Sequence, residues 1–78
     1  MSEEIEEKLQ ELYQDIKIYV NYTKHSEYHI TLELILQRAK VQVIFTYIYN
    51  RNYTFEKNFS EIVKLTEKGI LNIFRKEI

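Results

Sequence analysis

A chain of 78 residues with 45% hydrophobic and 29% charged residues has the length and composition of one folded domain, which disfavours wholesale disorder. The absence of cysteine excludes disulfide bonds and thiolate metal sites, and no apolar run approaches the roughly 18 residues that span a bilayer. A formal net charge of −1 disfavours a protein that binds nucleic acid or membranes through a strong overall positive potential.

The first predicted element is an amphipathic helix over about residues 3–14. Apolar side chains recur there on one helical stripe: Ile5, Leu9, Leu12 and Tyr13. Glu3 and Glu4 lie in the first turn, where negative charge favours the positive end of the helix dipole. More glutamates follow on the opposite side, so we expect this helix to have an acidic exterior.

Three strands are predicted next, over about residues 15–23, 28–37 and 40–49, because the apolar period changes from 3.6 to 2. The apolar members of the three alternating patterns are Ile16, Ile18, Val20 and Tyr22; Ile30, Leu32, Leu34 and Leu36; and Val41, Val43, Phe45, Tyr47 and Tyr49. We expect an antiparallel sheet whose apolar face points inward.

The connection between the second and third strands leaves alternatives open. A two-residue turn at residues 38–39 would keep the inward face and pair Leu36 with Val41. Such a turn prefers glycine or asparagine, which are absent here, so a longer loop or a continuous helix through residues 32–43 is also considered. The hairpin is favoured because β-branched and aromatic residues dominate residues 41–49.

The last predicted element is a second amphipathic helix over about residues 58–76. Asn58 is a candidate cap, with Glu61 three residues later, and residues 53–55 are expected to add a short edge segment before it. The inward stripe of this helix is Phe59, Ile62, Val63, Thr66, Ile70, Ile73 and Phe74. Gly69 falls near this stripe, where its missing side chain would let the helix approach the sheet closely.

Together the elements predict one α+β domain over residues 1–78 with the order αβββα, a three-stranded antiparallel meander with two helices packed on one face. The order and length resemble the double-stranded-RNA-binding domain, which grips phosphates with lysines at the start of its last helix. The corresponding segment here is Asn58-Phe59-Ser60-Glu61, which is acidic, and the first helix is rich in glutamate. The resemblance therefore covers topology and not the binding motif.

Residue usage is typical of an AT-rich genome. The chain has no proline, one glycine and one alanine, and it relies on Ile, Lys, Glu, Asn and Tyr. In this composition it resembles the small orphan proteins of archaeal viruses and phages. The resemblance implies a small intracellular protein of viral or mobile-element origin that dimerises or binds and modulates a host protein.

The leading functional hypothesis is a protein-interaction module that uses the outer face of the sheet. The apolar residues expected on that face, among polar neighbours, are Tyr19, Ile35, Ile44 and Ile48. Covering each isoleucine fully would contribute roughly 1.5–3 kcal/mol, which is large beside the stability of a small domain. We expect the partner to be a second copy of the chain or a host protein. Scattered exposed apolar residues of an ordinary monomer are the simpler interpretation.

The alternative function is nucleic-acid binding by the last helix. Lys64, Lys68 and Arg75 share an outward side with Lys76 nearby, and such a ridge could contact phosphates. Cations near a helix C-terminus are also common on solvated helix faces. Four tyrosines could stack on bases: Tyr19, Tyr47, Tyr49 and Tyr53. Two of the four are expected to face inward, which favours a packing role.

Chemistry beyond binding has little support in the sequence. In an extended strand His25 and His29 would lie ~13 Å apart, too far to share one metal ion. Glu33 beside Thr31 lies on an open face and lacks the burial that a catalytic carboxylate needs. We therefore expect no enzymatic activity, no metal, no cofactor and no membrane association. A cytoplasmic location is expected because the acidic N-terminal segment has no secretory pattern.

Overall fold

The computed structural model describes residues 1–77, which form two helices and a three-stranded antiparallel sheet. In chain order these elements are α1 (Ser2–Leu12), β1 (Lys17–Ser26), β2 (His29–Arg38), β3 (Val41–Ile48) and α2 (Phe55–Glu77). The strand order is β1-β2-β3, so β2 is central and the other two strands are the edges. The predicted α+β class and αβββα order are confirmed.

One hydrophobic core lies between the inner face of the sheet and the two helices. Its buried members are Ile5, Leu9, Ile16, Ile18, Val20, Leu32, Leu34, Leu36, Ile62 and Ile73. The inward residues of β3 pack against this core but stay half-buried: Val41, Val43, Phe45 and Tyr47. The alternating pattern identified the inner face because helices cover only that side of the sheet.

The register between β2 and β3 differs by two residues from the predicted one. Leu36 pairs with Val43 rather than with Val41, and the turn moves to residues 39–40. Ala39 adopts a φ of 54°, the left-handed conformation that a tight hairpin turn requires and that alanine rarely supplies. The inner face is unchanged, because a shift of two residues preserves the side-chain alternation.

Both helices have boundaries that differ from the prediction. α2 begins at Phe55, and Thr54 is its N-cap, because the Thr54 Oγ1 accepts a hydrogen bond from the Lys57 N–H at 3.1 Å. Residues 53–55 therefore do not form the expected edge segment. α1 ends at Leu12, which is 57% exposed although it was expected on the buried stripe.

Asn58 is fully buried and is not the cap of α2. Its Oδ1 accepts hydrogen bonds from the Tyr47 hydroxyl at 2.7 Å and from the Asn50 N–H at 3.0 Å. Its Nδ2 donates to the carbonyls of Asn50 at 2.9 Å and Thr54 at 3.1 Å. Burial, followed by the nearby Glu61 carboxylate, raises the pKa of Tyr47. This network ties the end of the sheet to the first turns of α2.

Gly69 is buried where α2 crosses the sheet. A Cβ at this position would lie 2.6 Å from Leu36 Cδ1 and 3.3 Å from Phe45 Cε1. The close helix–sheet approach expected from the sequence is therefore confirmed, and it depends on the absence of a side chain.

Candidate protein-interaction surface

The outer face of the sheet is uncovered within residues 1–77, because both helices pack on the inner face. Odd-numbered residues of β1 and β2 and even-numbered residues of β3 point outward. Antiparallel pairing aligns these residues in rows of three across the sheet. The composition of each row therefore determines the surface chemistry at that level.

One row is wholly apolar. Tyr19 in β1 pairs with Ile35 in β2, which pairs on its other side with Ile44 in β3. Tyr19 is 45% exposed and Ile44 is 54% exposed, whereas Ile35 is half-buried between them. Directly opposite Cβ atoms lie about 4.5–5.5 Å apart, so the three side chains form a continuous strip across the sheet. We call these three residues the apolar row.

Polar rows flank the apolar row on both sides. One consists of Lys17, Gln37 and Gln42, and the other of Asn21, Glu33 and Thr46. In the second row, Asn21 Nδ2 donates a hydrogen bond to Glu33 Oε1 at 3.3 Å. An apolar centre with a polar rim is the usual arrangement of protein-binding surfaces.

Ile48 lies on the same face but outside the apolar row. It pairs with Thr31, whose other neighbour is Thr23, and Thr46 separates it from Ile44 along β3. Ile48 is 64% exposed, so its side chain is accessible. The structure thus brings together three of the four predicted interface residues and leaves the fourth one polar row away.

The predicted basic residues lie on the exposed side of α2. Lys64, Lys68 and Arg75 are all exposed and follow one line along the helix, whereas Lys76 is exposed but points about 100° away from Arg75. The Lys64 Nζ lies 3.5 Å from Glu61 Oε1. This surface pair partly offsets the positive charge of the ridge and contributes little to stability.

The tyrosines proposed as a base-stacking platform lie on different surfaces. Tyr19 is on the outer face, whereas Tyr47 and Tyr49 are half-buried against the core. Tyr53 lies in the loop before α2, with the Lys57 Nζ 4.0 Å from its ring centroid. This distribution agrees with a packing role for the two inward tyrosines.

The two histidines are much closer together than the ~13 Å expected for an extended strand. Their ring centroids are 4.6 Å apart, because the chain turns back between β1 and β2 and places them on opposite strands. His25 Nε2 lies 3.0 Å from Thr31 Oγ1. Within residues 1–77 no group of three or more His, Cys, Asp or Glu residues could hold a metal ion.

The far end of the β1–β2 hairpin extends beyond the helices. Every residue from 21 to 29 is exposed, including Tyr22 at 42% and Tyr28 at 70%. The Arg51 guanidinium lies 4.3 Å from the Tyr28 ring centroid. This projection was not predicted, because the alternation of apolar residues in β1 continues to Tyr22. The signal that could have revealed it is the absence of aliphatic residues after Val20 in β1.

An open groove of about 710 Å³ lies where the end of α1 meets the turn between β2 and β3. Gln10, which lines it, is already engaged in hydrogen bonds. Its Nε2 donates to the carbonyls of Tyr13 at 2.9 Å and Ile16 at 2.7 Å. The Gln10 amide at this groove therefore holds the α1–β1 connection together.

Comparison of the chain with protein families, curated proteins and solved structures found no match. None of the helices described in residues 1–77 has both the length and the apolar character needed to cross a membrane. The function is therefore inferred from the chemistry of the surface.

Proposed function

We propose that this chain is a protein-interaction module whose outer sheet face docks on another protein. The observation that supports this is the uncovered apolar row of Tyr19, Ile35 and Ile44 with its polar rim. A sheet face that meets only water normally carries polar residues at such positions. The exposed parts of these three side chains gain further stabilisation when a partner covers them.

Covering the apolar row would supply part of a binding free energy. Full burial of one such side chain contributes roughly 1.5–3 kcal/mol. Because the three side chains are already partly covered, docking would gain about 2–4 kcal/mol in total. This amount is enough for the row to anchor an interface, whereas nanomolar affinity corresponds to about 12 kcal/mol. The polar rim must therefore contribute the remaining contacts and the specificity.

Composition supports a site of action inside the cell. Small domains that work in oxidising compartments are commonly held together by disulfides, and this chain has no cysteine. Its residue usage favours a viral or mobile-element origin, with a host protein or a second copy as the partner. Glu33 is the carboxylate that most resembles a candidate catalytic group. It is exposed and accepts a hydrogen bond from Asn21, which supports binding rather than catalysis.

The test compares two charge substitutions on the outer side of β1. Tyr19→Lys introduces a charge into the apolar row, and Thr23→Lys places the same charge on the same strand outside it. Each protein is immobilised and exposed to an extract of the native host. Wild type and Thr23→Lys should retain a host protein in similar amounts. Tyr19→Lys should retain at least about tenfold less of that protein, which corresponds to a loss of roughly 1.4 kcal/mol in binding free energy. Quantitative mass spectrometry measures the retained protein. Equal retention by both variants would contradict docking at the apolar row.

Nucleic-acid binding by α2 is the second candidate, favoured by the line of exposed cations Lys64, Lys68 and Arg75. It ranks lower because Glu61 pairs with Lys64 and the overall charge is slightly negative. Binding of this kind weakens steeply with salt. Fluorescence anisotropy with labelled RNA and DNA at low and high salt distinguishes it, since an affinity independent of salt would exclude phosphate contacts.

A further inference from the structure

The edge formed by β1 is blocked where it runs beside α1. Gln10 Oε1 accepts a hydrogen bond from the backbone N–H of Ile18 at 3.1 Å, and Glu6 Oε2 accepts one from that of Val20 at 2.9 Å. Both acceptors come from α1, about one helical turn apart. Farther along the strand, the charged residue Lys24 and a β-bulge just after it protect the same edge.

The edge formed by β3 lacks this protection. The backbone N–H of Tyr49 donates to the carbonyl of Ile30 at 3.0 Å, and ladder alternation then directs the N–H and C=O of every second residue away from β2. The residues whose backbone N–H and C=O groups point away from β2 are Gln42, Ile44, Thr46 and Ile48. Among residues 1–77 these backbone groups have no hydrogen-bond partner. The strand itself, Val41–Ile48, contains no charge, proline or bulge.

We propose that β3 pairs antiparallel with β3 of a second copy, so that two three-stranded sheets become one continuous sheet. A two-fold axis at Phe45 places Gln42 opposite the partner's Ile48 and Ile44 opposite the partner's Thr46. In this register the backbone groups of all four of these residues form hydrogen bonds with the partner strand. A two-fold axis at Ile44 or Thr46 would leave one of the four without a partner inside the strand.

The side chains favour the same register. On the outer face, Ile48 becomes a diagonal neighbour of the partner's Ile44 at about 7–8 Å, so the residue that is isolated in one copy joins an apolar strip. On the inner face, the half-buried Phe45 meets the partner's Phe45, and Val43 meets the partner's Tyr47. A second copy therefore covers both faces of the seam with apolar contacts.

Blocking the edge tests whether the copies pair there. Thr46→Pro removes an N–H that points away from β2, so it costs no hydrogen bond within the sheet. Light scattering across a wide range of protein concentrations should show a dimer for wild type and a monomer for Thr46→Pro, with unchanged far-UV circular dichroism. A wild-type protein that is monomeric at every concentration overturns the proposal.

Disulfide trapping tests the register and does not depend on whether Thr46→Pro folds. Since the chain has no cysteine, Gln42→Cys/Ile48→Cys should form a disulfide-linked dimer under mild oxidation. Each single variant is a matched control, because its two cysteines would lie about 20 Å apart across the axis. Linkage of the double variant alone supports the register. Linkage of a single variant as readily as the double variant overturns it.

Tyr19→Lys separates this proposal from docking at the apolar row, because Tyr19 lies on the strand farthest from β3. Edge pairing predicts that Tyr19→Lys keeps the dimer mass of the wild type. A dimer that is lost in Tyr19→Lys and kept in Thr46→Pro would mean that the copies meet face to face, which overturns edge pairing. If Tyr19→Lys retains as much host protein as wild type, docking at the apolar row is contradicted and edge pairing is unaffected. The two proposals can therefore fail separately.

Discussion

Asn58 illustrates how one polar residue in a hydrophobic core can direct the path of the chain. Its side chain makes four hydrogen bonds, to the Tyr47 hydroxyl and to backbone groups of Asn50 and Thr54. A buried amide whose donors and acceptors are all satisfied is compatible with few arrangements of the surrounding backbone. We infer that this residue specifies how α2 leaves the sheet.

We predict that Asn58→Asp lowers the free energy of unfolding by about 3–5 kcal/mol at neutral pH. The carboxylate cannot donate to the carbonyls of Asn50 and Thr54, and it would be buried close to both of them. Asn72→Asp, on the exposed side of the same helix, is the matched control and should cost less than about 1 kcal/mol. Urea unfolding measures both values, and similar losses in the two variants would contradict a special role for Asn58.

At the scale of the elements, Gly69 sets the distance between α2 and the sheet. We predict that Gly69→Ala lowers the free energy of unfolding by about 1 kcal/mol. Alanine favours a helix over glycine by about 1 kcal/mol, but a Cβ 2.6 Å from the fully buried Leu36 overpacks the core at a cost of roughly 1–3 kcal/mol. Lys68→Ala, at the adjacent exposed position, should be nearly neutral. A more stable Gly69→Ala protein would show that Leu36 can repack.

The order and type of the elements could be predicted because each has one covered face, which imposes a period of 3.6 or 2 on the apolar residues. The register could not be predicted, because alternation is unchanged by a shift of two residues and the turn depends on the rare conformation of Ala39. The predicted start of α2 was wrong because Asn58 and Glu61 have the spacing of a capping box, whereas Thr54 is the residue that caps the helix.

The same limit applies to the candidate interface. Alternation was sufficient to predict that Tyr19, Ile35, Ile44 and Ile48 share the outer face. Which of them are neighbours depends on the register of both strand pairs, and this register places Thr31 beside Ile48. The open backbone N–H and C=O groups along the β3 edge were not predicted either, because the side chains do not indicate which residues of a strand direct these groups away from the sheet.

At the scale of the whole molecule, the helices cover only part of the sheet. The molecule measures 42 × 21 × 18 Å, and residues 21–29 of the β1–β2 hairpin lie outside the core. We predict that amide hydrogens in this end of the hairpin exchange roughly 100-fold faster than those of Leu32 and Leu34, because opening it exposes little apolar surface. Exchange followed by NMR measures the difference, and equal protection would mean that the hairpin end unfolds only together with the core.

The hydrogen bonds from Glu6 and Gln10 to β1 have a consequence for assembly size. A subunit that could accept strands on both sides would be divalent, and divalent subunits polymerise into open fibres. If copies pair at β3 as proposed, the blocked β1 edge would make each copy monovalent, and one pairing event at β3 would use its whole strand-pairing capacity. The acceptors carried by α1, the Glu6 carboxylate and the Gln10 amide, would then favour a finite particle over a growing filament.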